Sequence, residues 1–239
     1  MTLPPSEVTP GWYGKLPSLG DFASRRLPPD FVLPWDAWLQ AVVQFTRAQL
    51  GEGWLDRYLT TPIWRFVLLP GLVGPTGWAG VLMPSVDRVG RYFPLTVAVP
   101  LPTRTAVAHA VFAGADWFDA VEETTLGALD PLRDVEELDR VLAAHTFAWP
   151  AAGETETPAG PVRRLPAAEA FTAVAQAEAL DAWSLQAGWK ALWWTRGRVD
   201  GDALALACAS LPTGQEFGWL LESRASPSPG RGAAAGARA

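Results

Sequence analysis

The stretch that most constrains this chain runs from Gly80 to Val99, GVLMPSVDRVGRYFPLTVAV. Two apolar, β-prone runs, Gly80 to Met83 and Phe93 to Val99, bracket a short polar connection, a pattern that predicts two strands of a buried sheet joined by a rigidly held loop. That loop, Pro84 to Tyr92, carries Ser85, Asp87, Arg88 and Arg91. Loops on a rigid scaffold are where binding and catalysis concentrate. A guanidinium is a planar fork of donors, so Arg88 and Arg91 suit an anionic group. The competing reading pairs Asp87 with Arg88, Arg91 or another arginine and assigns the charges to holding the turn in shape. Pro84 and Gly90 set the backbone under either reading.

A second polar stretch precedes it. Trp12 to Leu16 is predicted as a strand, and Pro17 opens a loop through Arg26 that places Asp21 and Arg25 close in sequence to Lys15. Gly14-Lys15 is not a phosphate-binding P-loop: leucine and proline follow the lysine where serine or threonine and a helix start belong, and the upstream glycine is missing. Lys15, Asp21 and Arg25 are therefore read as a polar cluster without an assigned partner.

Pro34 suits the first turn of a helix in which Trp35, Trp38, Leu39, Val42, Phe45 and Leu50 follow helical spacing, with Gly51 as its stop. Asp36 lies near its start. Trp54, Leu55 and Tyr58 predict a second, short helix. Ile63 to Leu69, IWRFVLL, reads as a strand whose lone charge, Arg65, must point to solvent or find an acid, since an unpaired buried guanidinium is very costly. Asp21, Asp36 and Asp87 are the acids considered for it. Trp78 to Met83 then returns the chain as a hairpin with a long loop.

From Ala106 the pattern becomes helical. Trp117, Phe118, Val121 and Leu129 form an apolar face opposite Asp119, Glu122 and Glu123, and Pro131 stops that helix. Asp134 with Glu137, and later Thr213 with Glu216, resemble capping boxes. Ala151 to Pro161 lacks a core-forming pattern and is expected as an exposed loop. Ala167 to Ala182 is helix-prone, and Lys190 to Thr195 and Ala203 to Ala209 read as two further strands. Residues 1 to 10 are expected to be a flexible lead-in, residues 1 to 222 one globular unit, and residues 223 to 239 a disordered low-complexity tail.

Composition limits the function classes. At 239 residues and 49% hydrophobic, the chain can bury a substantial core. A net charge of -6 without a basic run argues against nucleic acid as the main partner. The first residues lack a secretory signal pattern, no apolar run reaches the roughly 18 residues of a membrane span, and the single cysteine, Cys208, is expected as a buried small hydrophobe. These features place the protein in the cytoplasm as an expectation. His109 and His145 have no metal-ligand partner at useful spacing, so neither a metal nor a cofactor is expected. Ser85 has no G-x-S-x-G elbow around it. Thirteen tryptophans is a high count, and most are assigned to the core.

Four segments in order, GWYGKLPSLGDFASRRLP (Gly11 to Pro28), PWDAWLQ (Pro34 to Gln40), YLTTPIWRF (Tyr58 to Phe66) and GVLMPSVDRVGRYFPL (Gly80 to Leu95), resemble the TagF (ImpM) family of proteins associated with bacterial type VI secretion. The resemblance covers about the first hundred residues closely and the rest in general character. It implies a non-enzymatic cytoplasmic accessory protein that acts after translation to restrain assembly or firing of the secretion apparatus, through a forkhead-associated scaffold protein. It also implies an α/β fold: a three-layer α/β/α sandwich with a central mixed, largely antiparallel sheet. Sequence pattern alone supports only mixed α and β. The expectation carried forward is an adaptor whose partner-binding or loop-bracing residues are Lys15, Asp21, Arg25, Asp36, Arg65, Ser85, Asp87, Arg88 and Arg91. Its rivals are a hydrolase or phosphate-handling enzyme using Ser85, Asp87, Arg88 and Arg91, and a set of residues that serve only the fold.

Overall fold

In the computed structural model, residues 6–149, 154–157, 160–163, 167–196 and 204–221 are described. Strands β1 (Ser6–Val8), β2 (Gly11–Gly14) and β3 (Ala23–Arg25) precede helix α1 (Pro29–Leu50) and, after a 3-10 turn, α2 (Trp54–Thr60). Strands β4 (Trp64–Leu68), β5 (Gly77–Met83) and β6 (Leu95–Leu101) lead into helices α3 (Arg104–Phe112), α4 (Ala115–Gly127) and α5 (Val135–Ala144). Then come β7 (Phe147–Trp149), β8 (Glu154–Thr157), β9 (Gly160–Arg163), α6 (Ala167–Ala187), β10 (Ala191–Thr195), β11 (Ala205–Cys208) and α7 (Gly214–Leu221).

Seven of these strands form one sheet in the order β11-β10-β4-β5-β6-β2-β3, and every pairing in it is antiparallel. At its centre β5 and β6 pair from Gly77 with Leu101 to Met83 with Leu95. Both faces are covered by helices, which is why these strands read as continuous apolar runs rather than alternating ones. On one face Ala79, Val81, Met83, Leu95, Val97 and Val99 pack with Ala106 of α3, Phe118 and Val121 of α4, and Leu138 and Leu142 of α5. On the other, Phe66, Trp78, Leu82 and Ala98 pack with Phe31, Trp35 and Leu39 of α1, Tyr58 of α2, and Phe217 and Leu220 of α7. The result is an α/β sandwich with helix layers on both sides of the sheet.

Trp35 anchors the second layer. Its ring lies 4.6 Å from that of Trp38, 5.1 Å from Phe66 and 5.3 Å from Phe31, and its indole N–H donates to Thr96 Oγ1 at 2.9 Å. An indole with its one polar atom satisfied adds large apolar area without a desolvation penalty. Trp64 does the same against α7, donating to the Leu220 carbonyl at 2.9 Å. The caps are local and legible: Thr213 Oγ1 accepts from the Glu216 amide while the Glu216 carboxylate accepts from the Thr213 amide at 2.8 Å, a full capping box.

Several elements differ from expectation for identifiable reasons. Part of the supposed lead-in is β1, which pairs with β7, a long-range contact that local composition does not encode. Strand β3 was hidden by its brevity and its two exits, Asp21-Phe22 and the arginines. Helix α1 begins at Pro29, so Pro34 lies inside it rather than in its first turn, and Phe45 is 45% exposed. Helix α4 ends at Gly127 and leaves Leu129 outside. Strand β6 begins at Leu95, two residues later than expected, because the Phe93 amide instead closes the polar loop onto the Ser85 carbonyl at 3.1 Å. Within Ala151 to Pro161, expected as a loop, lies most of the β8–β9 hairpin. Cys208 is half-buried on an edge strand, and burial first and the Glu216 charge second push its thiol up. The expected tail, 223–239, lies outside the described residues.

Gly80 shows how tight the sheet centre is. A Cβ built there would stand 2.2 Å from the Val97 carbonyl oxygen and 2.7 Å from the Phe66 ring, so the clash is with backbone and cannot be relieved by a rotamer change. Gly80→Ala is therefore expected to lose about 3 kcal/mol in urea-unfolding measurements, whereas the same change at Gly53, which nothing crowds, should stay within about 1 kcal/mol.

Candidate functional site

The polar loop between β5 and β6 is a closed hairpin. Val86 and Tyr92 form a bridge, the Asp87 amide donates to the Arg91 carbonyl at 3.0 Å, and the Gly90 amide donates to the Asp87 carbonyl at 3.0 Å. Gly90 has φ of 86°, a conformation that an L side chain strains to adopt. The Asp87 carboxylate sits inside the turn. Its Oδ1 accepts from the amides of Val89 at 3.0 Å and Arg91 at 2.9 Å, and its Oδ2 accepts from Lys15 Nζ at 2.8 Å and Arg91 Nε at 2.7 Å.

Lys15 comes from the other polar stretch, immediately after β2, and both it and Asp87 are buried. The two loops are tied further by Ser85, whose Oγ donates to the Lys15 carbonyl at 2.7 Å, by the Arg88 amide, which donates to the Leu19 carbonyl at 2.8 Å, and by Arg91 Nη2, which donates to the Gly20 carbonyl at 2.5 Å. Phe22 closes the assembly from outside. It stacks 5.8 Å from Tyr13, meets Phe93 edge-on at 4.8 Å, and receives Lys15 Nζ over its ring at 4.9 Å. From α2, the Tyr58 hydroxyl donates to the Ser85 carbonyl and accepts from the Ser85 amide, each at 2.9 Å.

Electrostatics follow from this geometry. Burial alone would raise the Asp87 carboxyl, but the hydrogen bonds from Lys15, from the Arg91 amide and guanidinium and from the Val89 amide outweigh it and hold the group well below the usual carboxylate range. Burial first, then the Asp36 carboxylate that accepts its proton at 2.5 Å, push the Tyr13 hydroxyl up. Tyr58 is also raised by burial, against the opposing bond at Ser85.

The nine residues singled out in the sequence divide into three groups. Lys15, Ser85, Asp87 and Arg91 meet in one network. Arg88 and Asp21 lie exposed at its rim, where Arg88 Nη2 approaches Gly20 and Asp21 accepts from the Phe22 amide at 2.8 Å. Arg25, Asp36 and Arg65 belong elsewhere. Arg25 reaches Glu136 of α5 at 3.1 Å, beside Arg26 on Asp139, and Asp36 is taken by Tyr13 and Gln40. Arg65 finds neither Asp21, Asp36 nor Asp87 as its acid: it pairs with Asp119 and Glu122 of α4, both at 2.5 Å. Strand β4 and helix α4 are distant in sequence, and no periodicity announces which carboxylates cross the sheet face to meet it. Sequence reasoning did not assign Tyr58, Phe22 or the exposed Val89 to the site; Tyr58 was visible only as a residue of the short second helix and as the first residue of YLTTPIWRF.

The Ser85 hydroxyl donates to a carbonyl, among the described residues no base is bonded to it, and both histidines are occupied elsewhere. His145 Nε2 meets Thr124 Oγ1 at 2.9 Å, and His109 packs 5.7 Å from Phe147, where burial lowers its imidazole. Among the described residues no three metal-ligating side chains come together. None of their helices is long and apolar enough to cross a membrane.

Comparison with known proteins adds two findings. Residues 11–145 match the family described as the TagF N-terminal domain, type VI secretion system-associated, a span that contains both loops. The chain is also similar to the crystal structure of PA0076 from Pseudomonas aeruginosa PAO1, with 37% sequence identity and a TM-score of 0.74, over 92% of this chain and 97% of that one. No curated protein sequence matches.

Because the Asp87 carboxyl is lowered by folding, its contribution to stability is complete above the unfolded value near 4 and is lost as pH falls through the native one. Asp87→Asn should lower the urea midpoint at pH 7, leaving buried Lys15 without its counter-charge, and the gap to the parent protein should narrow as pH is taken below about 4. A gap independent of pH would show that the carboxylate charge plays no part.

Proposed function

The chain belongs to the type VI secretion-associated TagF family, and from that premise we propose that it is a non-enzymatic, cytoplasmic regulator that restrains the secretion apparatus by protein–protein contact, with a forkhead-associated scaffold protein as its partner. The contact surface in this reading is the rim of the two-loop network. The observation that carries it is a division of labour: Lys15, Ser85 and Asp87 are buried and bonded to one another's loops, while Arg88, Val89 and Gly90 stand exposed at the hairpin tip and Phe22 is exposed over Lys15, with Val89 at 64% and Phe22 at 41% exposure. A rigid base that presents an apolar side chain next to a cation loses little entropy when a partner docks. Arginine and aromatic side chains are the types that most often dominate such contacts.

The hydrolase alternative gains no support from the same atoms. Ser85 Oγ is a donor to a carbonyl, and all four principal hydrogen bonds to Asp87 are made within the protein, so neither group is poised to attack or to abstract a proton.

The experiment is a two-arm test in a type VI-positive bacterium lacking its own copy. Arg88→Glu combined with Val89→Ser changes only exposed side chains and should leave the circular dichroism and unfolding midpoint unchanged. Co-purification with the scaffold protein should fall by roughly tenfold or more, and secretion of a type VI substrate should rise toward that of the deletion strain. A folded variant that still binds and still restrains secretion would remove the loop tip from the contact surface.

A further inference from the structure

The seven-stranded sheet ends on β11, and among the described residues no strand lies beyond it. The Thr195 amide donates to the Leu204 carbonyl at 3.0 Å, which fixes the phase of the β10–β11 ladder: Leu204, Leu206 and Cys208 direct their backbone groups toward β10. Ala205 and Ala207, alternating with them, turn their N–H and C=O groups outward, and both residues are exposed.

Natural edges are usually protected by lysine, proline, a bulge or an inward charge. From Leu204 to Cys208 this one carries no lysine, proline or charged side chain, and apart from its shortness no residue of the strand itself discourages another strand from adding to it. Its side chains are also self-complementary. With a two-fold axis at Leu206, Ala205 of one copy faces Ala207 of the other, Leu206 faces Leu206, and Leu204 faces Cys208, so every cross-strand pair is apolar and no like charges meet, in a chain whose net charge of -6 otherwise opposes self-association. The outward pairs, Ala205 with Ala207 in both senses, are those that exchange both backbone hydrogen bonds. The apolar surface continues beside the strand. Trp219, one helical turn beyond the Glu216 whose charge acts on Cys208, is 50% exposed, and Leu204, Leu206 and Leu211 are only partly covered.

We propose that β11 pairs antiparallel with β11 of a second copy about a two-fold axis at Leu206, joining two sheets into one continuous sheet. The surface lies at the opposite edge of the sheet from β2 and β3, which adjoin the two-loop network, so dimerisation leaves that network accessible.

The test is sedimentation equilibrium of the full chain from low micromolar to several hundred micromolar. The apparent mass should rise from 25.7 kDa toward twice that value. Ala207→Pro removes an outward N–H to which no described residue is bonded, so the far-ultraviolet spectrum should persist while dimer affinity falls by roughly tenfold or more. Should that variant misfold, Ala205→Lys gives the same reading, because the two lysines lie diagonally across the axis on one face and repel. In a Cys208→Ala background, Leu206→Cys should form an inter-chain disulfide under mild oxidation, because facing non-hydrogen-bonded residues of an antiparallel pair lie within disulfide reach. A chain that stays monomeric throughout, or a dimer indifferent to the proline or lysine change, overturns the proposal; a dimer that is sensitive to them but not cross-linked through position 206 overturns the register.

Discussion

A carboxylate held away from water must find as many donors as it has accepting sites, and the architecture around the two loops follows from how Asp87 meets that demand. Two donors come from its own turn, one from a neighbouring guanidinium and one from Lys15, 72 residues earlier. The first three are available to an isolated hairpin. The fourth is not, and it is the bond that requires β2 to lie beside β6. Removing Asp87 would leave Lys15 buried without its counter-charge, and removing Lys15 would leave Asp87 with Arg91, half of whose side chain is exposed, so the juxtaposition of the two loops favours folding to this one arrangement. Pairs of this kind contribute less to net stability than to selecting one arrangement among several apolar alternatives.

The same logic operates on the other side of the sheet. Arg65 stands within a strand whose neighbours are wholly apolar, and its guanidinium reaches across to Asp119 and Glu122. Arg26 likewise reaches Asp139, which also accepts from the Trp12 indole. Arg26 comes first, then burial in the other direction, then Trp12 and Arg25, and together they hold the Asp139 carboxyl below its ordinary value. Apolar packing brings the helices to the sheet without selecting their rotation or lateral position. These crossing pairs select both, and α4 and α5 are thereby seated where they shield the first face while leaving the loop tip open.

Strand centres, helix faces and the identity of the polar loops were readable because they depend on local periodicity and turn chemistry. Gly80 to Met83 and the run ending at Val99 became β5 and β6, IWRFVLL became β4, and the tryptophan-bearing helix became α1. Thr213 and Glu216 cap α7 through their own side chains, within four residues. Lys15, Ser85, Asp87 and Arg91 were singled out because polar residues between apolar strands must be either satisfied or used, and their types limit how.

What the linear order could not supply was which polar group answers which. Tyr58 bracketing Ser85, Glu136 opposite Arg25, and α4 rather than a loop aspartate opposite Arg65 are all choices between residues of equal chemistry, and Coulomb attraction and hydrogen bonding do not distinguish among them until the chain is packed. The amino-acid sequence alone therefore determined the repertoire: apolar strands and amphipathic helices of a mixed α and β chain, two charged loops and the chemistry each could offer. Only the tertiary structure decided the pairing, because long-range contacts are settled by the simultaneous fit of both faces of the sheet, a constraint that no window of neighbouring residues contains.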